Sequence, residues 1–139
     1  MNRFLSVTLL ALLIHLPGHL DACIGVDLIS KEAAAEEFDA AISIEKPGTE
    51  LVGVRLEFTL KGRLKTFASA KLQIHGDGKQ LLQAPITPSK QTPERVVIHF
   101  FIAPELVRSC TLVIYHRIEK GKPPYEAIMF EVGRFVEPE

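Results

Sequence analysis

The chain has no tryptophan, two tyrosines, two methionines, two cysteines and no surplus of either charge. Sixteen Lys and Arg stand against 17 Asp and Glu, for a net charge of -1. A chain so balanced has no basic field for a polyphosphate backbone, and nucleic-acid binding is not expected. Long like-charge runs, low-complexity tracts and internal repeats are also missing, which argues against disorder and against a repeat array. Cys23 and Cys110 are too far apart in sequence for the paired spacing of a zinc site. Beyond Met1, the sole methionine is Met129, so a Met-rich copper carrier is excluded as well. The Gly-x-Ser-x-Gly elbow, the phosphate loop and the His-Glu-x-x-His helix do not occur. No catalytic residue, cofactor or metal is therefore expected.

What is present first is an address. Arg3 gives a positive start, Phe4 to Leu16 are almost purely apolar, and Pro17-Gly18 break the run before Ala22. That is the pattern of an export signal covering residues 1–22, too short for a comfortable permanent span. The working chain would then be one domain, residues 23–139, placed in the periplasm, in the cell envelope or outside the cell. In such a compartment two cysteines read as one disulfide, Cys23 with Cys110. Leu20-Asp21-Ala22-Cys23 also resembles the lipobox of bacterial lipoproteins, which implies that Cys23 would carry a lipid. Asp21 departs from the small or apolar residue of that pattern, and Pro17, Gly18 and His19 suit an ordinary cleavage region better. The soluble, bridged form is the favoured expectation, and membrane contact is expected only with a lipidated Cys23.

From Phe38 onward, apolar and polar residues alternate with a period of two, the mark of half-buried strands. Val52, Val54, Leu56, Phe58 and Leu60 are the clearest set, interleaved with Gly53, Arg55, Glu57, Thr59 and Lys61. Phe38 to Ile44, Ala70 to Ile74, Val96 to Ile102, Cys110 to Ile118 and Ile128 to Val132 repeat the theme. Asp77-Gly78 predicts a tight hairpin, because both positions of that turn require positive φ. The proline-bearing stretch from Ile86 to Glu94 predicts a loop. Ser30 should cap a short helix near residues 30–37, and Pro104 should open a helical turn. Together these predict an all-β, antiparallel sandwich of about seven or eight strands, with a closed barrel as the second choice. The strand, helical turn, strand passage around Pro104 resembles the corner between two late strands in immunoglobulin-like domains. Trp is absent and Cys23 lies at the chain start, so the resemblance is one of architecture.

Three histidines follow the signal. His75 beside Asp77 has no third ligand nearby, and His116 shares parity with Ile114 and Ile118, which predicts a buried ring with a hydrogen-bonded neighbour. Ser109-Cys110-Thr111 offers no base for a nucleophilic thiol. More informative is the face carrying Val97, His99 and Phe101, which should be solvated yet is largely apolar. Either a loop covers it or it forms an interaction patch, which Tyr115 and Arg117 of the following strand would extend. The expected function is a non-catalytic binding or structural module that meets another protein through a strand edge or an outward patch. A small-ligand or lipid carrier on a barrel-like version of the strands is the alternative.

Overall fold

A computed structural model describes residues 23–45, 50–119 and 122–136. The export signal of residues 1–22 lies outside the described residues. Among the described residues, nine strands and two short α-helices follow one another. The first strand, β1 (Cys23–Leu28), leads into α1 (Lys31–Phe38) and then β2 (Ala41–Glu45) and β3 (Val52–Thr59). After a 3-10 turn at Gly62–Thr66 come β4 (Phe67–Gly76), β5 (Lys79–Ile86), β6 (Lys90–Gln91) and β7 (Arg95–Ile102). A second 3-10 turn, Pro104–Ser109, precedes β8 (Cys110–Glu119), β9 (Lys122–Glu131) and α2 (Val132–Val136).

The strands form two sheets, one ordered β1-β9-β8-β4-β5 and the other β2-β3-β7-β6. The chain changes sheet after β1, β3, β5 and β7, while β2-β3, β4-β5, β6-β7 and β8-β9 remain neighbours. That crossing pattern is an immunoglobulin-like β-sandwich, as expected from the alternation. Three details differ from expectation. β1 runs parallel to β9, so the sheet is antiparallel everywhere except at that edge. The stretch expected as a loop contains β6, a two-residue strand against Val96 and Val97. Phe38 and Val132, expected in strands, lie in α1 and α2.

Local chemistry explains the elements that position the surfaces. Ser30 caps α1, its Oγ accepting from the Ala33 amide at 3.2 Å, and Asp39 ends the helix with φ of 52°. Asp77 and Gly78 both take positive φ, 50° and 72°, as the hairpin between β4 and β5 demands. Between the sheets lie Phe38, Leu56, Phe58, Ile98, Leu112, Ile114, Ile128 and Phe130, each 2% exposed or less. Each such side chain contributes about 1.5–3 kcal/mol through its removal from water. The Phe135 ring of α2 closes one end of the core, 5.7 Å from Phe130. Among the described residues, no helix is long and apolar enough to cross a membrane.

The register separates the two cysteines. Cys23 stands beside Tyr125, which stands opposite Arg117, at the far end of β8 from Cys110. At ~3.3 Å per residue that separation is on the order of 20 Å. A disulfide needs Cα atoms within about 7 Å. The expected bridge is thus corrected: Cys110 is a free, buried thiol.

Candidate interaction surface

The expected patch of Val97, His99, Phe101, Tyr115 and Arg117 does not exist as one surface. β7 and β8 follow each other in the chain but belong to different sheets, so their outward faces point to opposite sides of the sandwich. On the four-stranded side, Val97 is only 5% exposed. His99 lies over Gly53, where an added Cβ would fall 2.9 Å from the ring Nε2. Its Nε2 is 3.3 Å from a Glu45 carboxylate oxygen, in a contact too poorly aligned to count as a hydrogen bond. Phe101, 55% exposed, packs its ring 4.9 Å from the imidazole.

Four charged side chains of that outward face are paired with one another. Arg55 donates to Glu57 at 2.9 Å, Arg95 donates to Glu57 at 2.9 Å, and Arg95 also donates to Asp39 at 2.7 Å. The hydrogen bonds from Arg55 and Arg95 hold the Glu57 carboxyl below its ordinary pKa. Partly exposed pairs of this kind contribute little to stability, but they leave few unsatisfied charges for a partner.

The outward face of the five-stranded sheet is built differently. Cross-strand register aligns Val26, Ala127, Tyr115 and Ser69 in one row, and Leu28, Met129, Val113 and Lys71 in the next. Val26 is 57% exposed and Leu28 48%, whereas Val113 and Ala127 are buried at 3% and 2%. Cations sit among these apolar and aromatic side chains. The Lys71 ammonium is 4.9 Å from the Tyr115 ring centre, and the Arg117 guanidinium is 5.2 Å from that of Tyr125. Arg117 also donates to the Tyr125 hydroxyl at 3.0 Å. One of its carboxylates, Glu131, is engaged by Arg134 of α2.

At one end of this face is a groove of about 400 Å³ lined by His75, Arg108, Ser109, Thr111, Met129, Glu131, Gly133 and Arg134. β4, β8 and β9 supply its floor, the Pro104–Ser109 turn one wall and α2 the other. Sequence alone does not single out Val26, Leu28, Met129, Arg108 and Arg134 as surface residues that come together. A signal was present for the apolar members. Leu112-Val113-Ile114-Tyr115 and Ala127-Ile128-Met129-Phe130 are unbroken apolar runs, and such runs mark strands covered on both faces. The arginines carried no signal, because only the fold brings their segments together.

A third cluster lies at the opposite end of the five-stranded sheet, facing inward. His116 is 1% exposed, with Nε2 3.4 Å from a Glu126 carboxylate oxygen and, among the described residues, no aligned side-chain hydrogen bond at either ring nitrogen. The ring is buried as expected, beside the Glu126 carboxylate and the Arg117 backbone. Arg63 of the first 3-10 turn pairs with Asp27 of β1 and approaches Glu37 of α1 at 3.7 Å. Burial lowers the His116 pKa, Arg63 adds to the lowering, and the Glu126 and Asp27 carboxylates oppose it. A folded-state value below the unfolded one means that folding favours the neutral ring. Its contribution is complete above the unfolded value near 6.5 and is lost as pH falls from there through the lower folded-state value. Urea unfolding from pH 7.5 to pH 5 should thus show His116 contributing a decline of up to about 1.4 kcal/mol per pH unit. His116→Leu should flatten that decline relative to wild type, and an unchanged slope would count against this account of the ring.

Among the described residues, no three His, Cys, Asp or Glu side chains could hold a metal ion. Cys110 is 1% exposed, and burial pushes its thiol pKa up to about 12. A thiol held that firmly protonated cannot serve as a nucleophile near neutral pH.

Comparison with known proteins adds little. No family model matches the chain, and no curated protein matches it. Among solved structures, the chain is similar to the MHC-like protein MILL2 at 14% sequence identity and a TM-score of 0.38. The similarity covers 66% of this chain and 32% of that one.

Proposed function

We propose that residues 23–139 form an exported, non-catalytic binding module that meets another protein through the outward face of the five-stranded sheet. One observation carries this reading. That face keeps Val26 and Leu28 exposed beside Met129, Tyr115 and two ring-stacked cations, while the opposite face spends its charges on internal pairs. Apolar area, Tyr and Arg are what the centres of protein interfaces are enriched in. The carrier alternative draws less support. Phe38, Phe58 and Phe130 occupy the space between the sheets, where a carrier would hold its ligand.

Export through the segment before Cys23 is part of the proposal. A lipid on Cys23 would tether the Tyr125 end of β9 and point the groove at the Glu131 end away from the membrane. The test places a photo-cross-linking residue at Leu28 or at exposed Ser43 on the opposite sheet, in cells that express the protein. A discrete adduct from Leu28 and none from Ser43 is expected.

A further inference from the structure

The four-stranded sheet stops short on one side. β7 is eight residues long, but β6 pairs only with Val96 and Val97. Along Ile98 to Ile102, no described strand lies on that side of β7. The direction of the backbone groups there follows from their neighbours. The Arg95 carbonyl accepts from the Thr92 amide at 2.9 Å, and the Val97 carbonyl accepts from the Ser89 amide at 2.8 Å. Successive strand residues send their N–H and C=O to opposite sides, so those of His99 and Phe101 face the open edge. Among the described residues, none pairs with them there.

β5 stands over this edge. It is the last strand of the five-stranded sheet, as β6 is of the other, and residues 87–89 join the two. Ile74 and Ala70 point into the core, and their partners Leu82 and Ile86 share that facing. A bulge beside His75 leaves Leu81 as an extra residue. An added Cβ on Gly76, an inward position, would fall 2.6 Å from Leu81 Cδ1, so Leu81 turns to the inner side as well. Two leucines thus face inward, yet they are 68% and 49% exposed. Phe100 and Leu72, also inward, are only partly buried. A single strand laid on β7, about 4.8 Å from it, would come beneath them.

Unpaired backbone groups along a strand are matched by another extended chain, and the overhang of β5 keeps the edge of a second folded copy away. Charge narrows the occupant. Lys90 is exposed at the start of β6 and makes no ion pair among the described residues. An occupant running antiparallel to β7, as β6 does, would end beside it. We infer that the open edge of β7, covered by Leu81 and Leu82, binds an extended segment of another protein by strand addition. That segment is apolar at every second residue and carries a carboxylate toward its C-terminal end. The site is separate from the outward face of the five-stranded sheet and does not rest on the contact-face reading.

Amide hydrogen exchange of the ¹⁵N-labelled protein tests the inference. In the free protein the His99 and Phe101 amides should exchange about 100-fold faster or more than those of Ile98 and Phe100, which point to β3. The probe is a capped peptide, Thr-Val-Thr-Val-Thr-Val-Glu. It should slow exchange at His99 and Phe101 about tenfold or more, in a saturable way. The same peptide N-methylated at its threonines, whose amides would meet β7, should not. Leu82→Lys should weaken binding about tenfold or more, whereas Lys71→Gln on the contact face should leave it unchanged. Slow exchange at His99 and Phe101 in the free protein, no protection by the peptide, or equal binding of the methylated peptide overturns the inference. So does binding that Leu82→Lys leaves intact. Protection that rises with protein concentration alone assigns the edge to a second copy and overturns it too. A Leu28 adduct that persists after such a failure removes the edge site and leaves the contact face standing.

Discussion

Replacing Phe130 by alanine is expected to lower the unfolding free energy by about 3–5 kcal/mol, while Phe101→Ala changes it by about 0.5 kcal/mol or less. Both are phenylalanines in long strands, and only their facing differs. Phe130 is fully buried between the sheets and packs on Phe135, so truncation opens a cavity that the helix end and the strands cannot fill. Phe101 is 55% exposed, and its main contact is the His99 ring. Denaturant unfolding of the two variants measures the contrast directly. Equal losses would mean that the inward and outward faces of the strands are wrongly assigned.

Cys110 should be almost inert to thiol reagents in the native protein. A pKa raised from 9.0 to about 12 leaves on the order of 10³-fold less thiolate at pH 8, before any shielding by burial is counted. The measurement uses a Cys23→Ser variant, so that one thiol reports. Ellman's reagent should react on the order of 10³-fold more slowly than with a free thiol, and promptly once guanidinium unfolds the chain. Fast labelling of the folded variant would contradict the burial of this residue. An intact wild-type mass that rises by two hydrogens on reduction would reinstate the bridge to Cys23 and contradict the strand register.

Local chemistry was the legible part. The alternation in Val52 to Phe58 became a strand with Val54, Leu56 and Phe58 fully buried. The Asp77-Gly78 turn took the positive φ angles that its residues predict, and Ser30 capped the helix it precedes. Partition between sheets was not legible. Parity tells which residues of a strand share a face, but it does not tell which sheet that strand joins. Hence Tyr115 and Arg117 were grouped with Phe101 and are found on the other side. The parallel pairing of β1 with β9 was hidden for a related reason, since it joins the two ends of the domain. The groove was hidden most deeply. Arg108 and Arg134 line one groove because the Gly133 backbone comes close to that of Arg108, and no local pattern records which segment approaches.

The account stands on the difference between two outward faces, one apolar and cationic, the other closed by its own ion pairs. The cross-linker pair at Leu28 and Ser43 addresses that difference in a single experiment. The account predicts one discrete adduct from Leu28, lost when Met129→Glu is added, with Ser43 silent. An adduct from Ser43 alone, or matching adducts from both positions, would contradict it.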